Sequence, residues 1–357
     1  MGDRKRILLT GASGYIGRAV LKQLLAATDA DAGEGYVLSR SAAGTADSGL
    51  GTASASTLNS PAGSPESLRA SAADLRALLP PERILSCDLL DRDALTAALA
   101  PLAGKIDVII HCAAATDNSQ LSRTAAPSGA AATDNSQLSR TAASSDPNQA
   151  MIANLLKATE PEPGGTAPRW IHLSSVSVYG DAGRADATRP DVRLRPSGAY
   201  GRSKLACERS LIRAPGLDDL RILRVTPVFS PEALRNVAVR VCLPGTSLPL
   251  RIWPEPRHSL LSLSVLVRAI VAHVNDVTAR RTMENLTDSK PYGQHSLIAD
   301  CGKGFALPIL EYIFRPIYWG CFLIPRGVGY HLRCFYWKLF RSNVYAEGQF
   351  PLPARET

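Results

Sequence analysis

Tyr200 and Lys204 stand four positions apart in AYGRSK, residues 199–204. On a helix that spacing puts both side chains on one face, one turn apart. An ammonium beside a phenol favours the phenolate. A tyrosine held in this way can pass a proton to or from a hydroxyl group. The spacing alone also fits an ordinary surface pair, so the decision rests on what the rest of the chain places beside it.

The elements able to position such a pair alternate along the sequence. RILLTG is a short apolar run ending at glycine and reads as a buried strand, and YIGRAVLKQLLAA follows with apolar residues at helical spacing. GYVLSR, RILSCDLLD, IDVIIHCAAA, PRWIHLSSVSVYG and LRILRVTPVF read as five further strands, with DRDALTAALAPL and NQAMIANLLKA as helices between some of them. This alternation predicts an α/β fold of the Rossmann type, a doubly wound parallel sheet, followed by a smaller C-terminal substrate domain. The expected division is 1–225 for dinucleotide binding, 226–300 for substrate and 301–357 for a tail.

Two stretches interrupt the pattern. Residues 41–73 are rich in Ala, Ser and Gly and read as a flexible insertion after the second strand. AATDNSQLSRTAA occurs at 114–126 and again at 131–143. Two copies without a large apolar face do not make a solenoid. The region 114–143 reads instead as a duplicated loop bordering the expected cleft.

GASGYIG puts Gly11, Gly14 and Gly17, with Ser13, Tyr15 and Ile16, at the first strand–helix junction. Glycine there permits a tight turn and close approach of backbone to phosphate, and the helix N-terminus offers N–H groups to a pyrophosphate. A nicotinamide dinucleotide is the expected ligand. The second strand ends in VLSR, with Arg40 and no carboxylate, so NADP(H) is favoured over NAD(H). Asp88 and Leu89 close the third strand, where a carboxylate can meet the adenine amino group or simply cap a helix.

With 45% hydrophobic and 20% charged residues in 357, the chain reads as globular rather than disordered. Its net charge of +8 suits anionic partners without selecting one. Seven cysteines without a CxxC pair indicate neither a disulfide framework nor a zinc site, so no metal is expected. MGDRKRILLTG holds no secretory signal, which makes the cytoplasm the default location.

TGASGYIG, DLLD, HCAA, DPNQAMIANLLKA, IHLSSVSVYG and YGRSK together resemble the extended short-chain dehydrogenase/reductase family, in its nucleotide-sugar epimerase/dehydratase branch. The resemblance covers roughly residues 5–290. It implies a nicotinamide cofactor, Ser/Tyr/Lys chemistry at a sugar carbon, and a homodimer. By position it assigns catalytic roles to Ser175, Tyr200, Lys204 and Asn148, and cofactor contacts to Ala113 and Ala114 in HCAA as well as to Tyr200 and Lys204. Ser175 and Ser177 would face the substrate. The pattern is broken at VFSP, where Ser230 replaces a glycine, and in RHSLLSLSVLVRAI, where Ser264 replaces an aspartate. Arg257 and His258 precede that element and could clamp an anionic diphosphate or be solvated surface charge. ENLTDSKPYG is expected to close the small domain.

The tail is unusual. Between Tyr312 and Arg341 lie five Lys or Arg, no acidic residue, and 10 of the 21 aromatic residues of the chain. This composition suits peripheral contact with the inner face of a membrane through 305–341, and equally a packed lid. No nucleic-acid-binding motif accompanies it. The expected function is an NAD(P)-dependent epimerase or reductase acting on a small-molecule activated sugar, linked to a nucleotide or a polyprenyl diphosphate. A 3β-hydroxysteroid-type dehydrogenase, or a non-catalytic NADP(H)-binding sensor or assembly factor, is the alternative.

Overall fold

The computed structural model describes residues 5–26, 33–39, 71–115, 146–180, 187–300, 306–321, 323 and 326–352. Arg40, most of the 41–73 insertion, and the duplicated stretch beyond Ala115 lie outside them.

The first half alternates as β1 (Arg6–Thr10), α1 (Tyr15–Ala26), β2 (Glu34–Ser39), α2 (Ala72–Leu78), β3 (Ile84–Ser86), α3 (Arg92–Leu99), β4 (Val108–His111), α4 (Pro147–Ala158), β5 (Arg169–Ser175), α5 (Ala199–Arg213) and β6 (Leu220–Val225). The strands are short, apolar and buried on both sides. Ile7 and Leu9 of β1 face one layer and Leu8 the other, and Val108, Ile109 and Ile110 of β4 divide in the same way. That division follows from the two-residue period of a strand. It demands helices on both faces, as parallel sheets do. One layer packs Val20, Leu21 and Leu75 from α1 and α2. The other packs Leu95, Ile152, Leu155 and Leu211 from α3, α4 and α5. Each such side chain contributes about 1.5–3 kcal/mol by leaving water. Helix starts are written in the sequence: Asp91 caps α3 through Ala94 N, and Asp146 accepts from Asn148 N and Gln149 N at the start of α4, with Pro147 in its first turn.

The second half continues through β7 (Val228–Phe229), α6 (Arg235–Val241), β8 (Leu250–Trp253), β9 (Arg257–His258), β10 (Leu261–Ser262), α7 (Leu263–Asn275), β11 (Arg281–Leu286), β12 (Tyr292–Gly293), α8 (Gln294–Asp300), β13 (Leu307–Leu310), α9 (Glu311–Gly320), α10 (Arg326–Phe340) and β14 (Gly348–Pro351). The main sheet has eight strands in the order β14-β11-β6-β5-β4-β1-β2-β3. All neighbours are parallel except β14, which runs antiparallel to β11 at the edge. ENLTDSKPYG, expected to close the small domain, divides: Glu284–Leu286 belong to β11 beside β6, with Leu286 opposite Val225, and Tyr292–Gly293 form β12, paired with β9. The tail likewise returns to the main sheet through β14. Between these returns a smaller body forms from paired short strands and a core of Val237, Val241, Leu260, Leu297 and Ile298. Among the described residues no helix is long and apolar enough to cross a membrane.

Candidate active site

The C-terminal ends of β1 to β5 open on one edge of the sheet, and the order reverses between β1 and β4, the place where doubly wound sheets bind ligands. The first turn there requires glycine. Gly11 has φ +74°, and a Cβ on it would meet Ala113 N at 2.7 Å. A Cβ on Gly17 would come 2.2 Å from Gly11 O, so α1 approaches the β1 turn more closely than any side chain permits. Gly14 N donates to Gly11 O at 2.9 Å and completes the turn. The first turn of α1, with Tyr15 and Ile16, carries no acidic residue, and Ser13 immediately precedes it. Its leading N–H groups and positive dipole end therefore face the cleft. This cradle fits a dinucleotide pyrophosphate.

The neighbouring strand ends complete the groove. Ala113 N donates to Thr10 Oγ1 at 3.3 Å, and Thr10 Oγ1 also bonds His111 Nδ1 at 2.8 Å, which ties β1 to β4 below the cradle. Ala114 is half-buried beside it. Asp88 accepts from Leu90 N at 3.0 Å in a tight turn after β3. The cap of α3 is Asp91, so Asp88 does not have the helix-cap role the sequence allowed it. Leu89 is buried beneath, its carbonyl accepting from Asn154 Nδ2 at 2.9 Å. Ser39 ends β2 and is buried.

Tyr200 and Lys204 lie in the first turns of α5. Lys204 is almost wholly buried, its Nζ donating to Leu173 O at 2.8 Å and lying 6.0 Å from the centre of the Tyr200 ring. The close approach of α5 to the turn at 176–179 that follows β5 depends on Gly201, where a Cβ would meet Ser177 O at 2.5 Å. Ser175 ends β5, its Oγ accepting from Ser177 N at 3.2 Å and donating to Ser177 Oγ at 3.1 Å. One short stretch of contact thus brings Ser175, Ser177 and Tyr200 to the same end of the sheet.

Asn148 is buried and fully engaged. Its Oδ1 accepts from Ala115 N at 2.6 Å, and its Nδ2 donates to Ala115 O at 3.0 Å and to Ser203 Oγ at 2.8 Å. Ser203 Oγ in turn donates to Asp146 Oδ1 at 2.9 Å. Asn148 therefore positions the turn after β4 and the residue next to Lys204. Ser203 and Gly201 were missed as site residues although both stand in YGRSK, the same motif that revealed the pair.

The imidazoles and thiols around Lys204 are held in their neutral forms. His111 and His172, stacked with ring centres 5.4 Å apart, are buried, and burial, assisted by the Lys204 charge, holds His111 at about 3 and His172 well below its usual range. Burial pushes the Cys112 and Cys207 thiols up to about 12, so neither is a thiolate. No cluster of metal-binding side chains occurs among the described residues.

The substrate side departs from expectation at His258. Its ring is completely buried, neither nitrogen has a partner, and burial with the nearby Arg240 charge holds it at about 3. A neutral, enclosed imidazole does not clamp a diphosphate. Arg257 is exposed, its backbone tied to Ser342 and Asn343. Ser264 is exposed as well, and the start of α7 is held instead by Asp288, which accepts from Ser262 N at 3.1 Å and Ser262 Oγ at 3.2 Å. No local pattern around Ser264 could have announced a carboxylate arriving from beyond β11.

The likenesses to known proteins agree with this geometry. The profile of the NAD dependent epimerase/dehydratase family matches residues 7–242, well over half of the chain. No curated protein matches by sequence. Among solved structures, UDP-glucuronic acid 4-epimerase from Bacillus cereus, in complex with UDP-glucuronic acid and NAD, is similar with a TM-score of 0.55 at 18% identity, over 85% of each chain. dTDP-glucose 4,6-dehydratase from Bacillus anthracis, in complex with NAD, gives 0.56 at 13%, over 86% of this chain and 84% of that one. The UDP-Glc/GlcNAc 4-epimerase of Campylobacter jejuni gives 0.54 at 17%, over 86% of each. At these identities the structural likeness establishes the fold. With the profile match covering the cradle, Ser175, Tyr200 and Lys204, the chain belongs to the NAD-dependent epimerase/dehydratase family, nicotinamide-dependent enzymes of the extended short-chain dehydrogenase/reductase type.

Proposed function

We propose that the chain is an epimerase or reductase of a sugar carried on a nucleotide or polyprenyl diphosphate. The observation that carries this reading is the buried Lys204 ammonium, fixed by Leu173 O beside Tyr200 and surrounded by imidazoles and thiols that do not titrate in the working range. The nicotinamide, when bound, supplies or accepts hydride at the sugar carbon. Gly11, Gly14 and Gly17 hold the pyrophosphate, and Tyr200 and Lys204 face the nicotinamide end. Tyr200 takes the proton of the substrate hydroxyl as its carbon becomes a carbonyl and returns it when the hydroxyl is restored. Lys204 stabilises the phenolate that Tyr200 carries before it takes this proton and again after returning it. Ser175 turns its hydroxyl from Ser177 to the carbonyl oxygen. Arg257, exposed on β9, is the candidate for the diphosphate. The 2′-phosphate preference rests on VLSR, which offers Arg40 and no carboxylate.

The test begins with the dinucleotide released from purified protein by denaturation, identified by mass. Retention at one per chain supports an epimerase that recycles its cofactor, and an empty site that binds added NADPH supports a reductase. Tyr200→Phe is then expected to keep dinucleotide affinity and lower turnover by about 10²–10⁴. Undiminished turnover in that variant would exclude Tyr200 as the acid/base group.

A further inference from the structure

The face built by β8, β13 and α9 carries large apolar side chains that stay exposed to water. β8 and β13 pair in parallel with Leu310 opposite Trp253, and both of those side chains are exposed. α9 follows β13 without a break, and the apolar surface continues along it. Tyr312 is 58% exposed, Ile313 64%, Trp319 63% and, just past the helix, Leu323 90%.

These residues touch the fold only along one edge, Trp319 against Tyr318 at 5.5 Å and Trp253 against His295 at 4.7 Å, because the opposite side of α9 is what seals the core. Phe314 stacks on Phe340 at 4.9 Å and Tyr318 on Tyr336 at 4.7 Å, while Leu250, Ile252 and Leu339 fill the space beneath. Glu311 is buried there. Its carboxylate accepts from Tyr336 Oη and from Arg315 Nη2 at 3.0 Å, and pairs with Arg341 at 3.6 Å. A helix of a water-facing surface needs one apolar stripe. α9 has two, and the second faces outward.

We propose that this face is a docking surface for an anionic lipid bilayer, entered to the depth of the headgroups. Charge selects the occupant. Arg251, Arg315 and Arg341 are exposed around the apolar residues, and the only carboxylate between 307 and 341 is the buried, neutralised Glu311. Glu255, nearby on the other side of Trp253, is engaged with His295 N at 2.8 Å. Tryptophan and tyrosine rings bracketed by guanidinium groups suit the boundary between headgroups and acyl chains. Ten residues with Pro316 among them are too short for a span, so the contact is peripheral. The inference is independent of the catalytic reading.

The experiment is co-sedimentation of the full chain with vesicles of phosphatidylcholine alone and of phosphatidylcholine containing about 30% phosphatidylglycerol. Binding is expected to the anionic vesicles, to weaken with added salt, and to be slight on the neutral ones. The double variant Ile313→Ser, Trp319→Ser alters only exposed side chains. It should keep the melting temperature and dinucleotide affinity of the wild type and lower partitioning onto the anionic vesicles at least about tenfold. The proposal is overturned if the wild type ignores anionic vesicles, or if the double variant binds them equally well. It is also overturned if the wild type proves to be a dimer that the double variant dissociates, since a second copy would then cover this face.

Discussion

Arg224 and Arg240 are both buried, one in each half of the molecule, and they are treated in opposite ways. Arg224, on β6, meets Glu208 of α5 through Nη2 at 2.7 Å and Nε at 3.0 Å, and its Nη1 donates to Tyr179 Oη at 3.0 Å and to Pro190 O at 3.1 Å. Burial works against its charge, but the bonds and charge of Glu208 overcome that and hold the guanidinium above its ordinary value. Tyr179 passes the network on to Asn285 of β11 at 2.6 Å. Among the described residues Arg240, on α6, donates to the backbone carbonyl of Asn236 and its Nε has no hydrogen-bond partner, and burial brings it down to about 10. Its neighbour His258 is equally unpartnered. Buried polar groups left unsatisfied are rare in native interiors. Unpartnered buried atoms occur in both halves, His172 Nδ1 and Nε2 in the first and His258 Nδ1 and Nε2 in the second, so what separates the halves is the treatment of the buried arginine, neutralised by a carboxylate in one and held without one in the other.

The contrast can be broken by two matched substitutions. Arg224→Met leaves Glu208 buried without its cation and is expected to cost about 3–5 kcal/mol. Arg240→Met removes a charge that has no carboxylate partner and is expected to change stability by less than about 1 kcal/mol in either direction. Urea midpoints at unchanged m-value report both. Equal losses in the two variants would show that Arg240 is as well supported as Arg224, and the distinction between the halves would fail.

A smaller effect sharpens the comparison inside the first half. Gly201→Ala brings a Cβ against the Ser177 carbonyl, a backbone atom that yields only if α5 moves off the turn following β5. The expected cost is about 1–3 kcal/mol in stability. Turnover should fall about a hundredfold as Tyr200 shifts from the Ser175 side. Dinucleotide affinity should stay near that of the wild type, because the Gly11–Gly17 cradle is untouched. Lost affinity with intact turnover would show that this contact serves the cofactor rather than the proton couple.

The same division explains what the sequence could say. The cradle, the six alternating strands and the Tyr200–Lys204 pair were legible because each depends on local spacing: glycines at a strand–helix junction, a two-residue period, one turn of helix. Asn148 was legible only as a position, and its partners Ala115 and Ser203 required the fold. The places of β11 and β14 in the main sheet were not legible because nothing local in RTMENL or GQFP names its neighbour, and sheet order is set by packing far along the chain. His258 looked like a surface clamp beside Arg257. Along a strand, however, adjacent residues face opposite ways, so one is exposed and the next enclosed.

Acid sensitivity follows from the enclosed histidines and is the gentlest test of the two halves. His111 and His172 lie in the first, His258 in the second, and all are held below the ordinary value of 6.5. Above pH 6.5 neither the folded nor the unfolded chain protonates them, and their contribution to stability is level. Below it the unfolded chain takes up protons that the folded one refuses, down to about 3 for His111 and His258. Stability therefore falls with pH by about 1.4 kcal/mol per unit for each histidine. His172→Phe keeps a ring stacked on His111 and removes one of these uptakes, so its stability should decline less steeply between pH 6.5 and about 5 by that amount. His258→Phe should remove the same slope from the other half. Urea midpoints across that range decide it. If His172→Phe flattens the curve and His258→Phe does not, His258 is protonated in the folded protein and the substrate half is open to water after all.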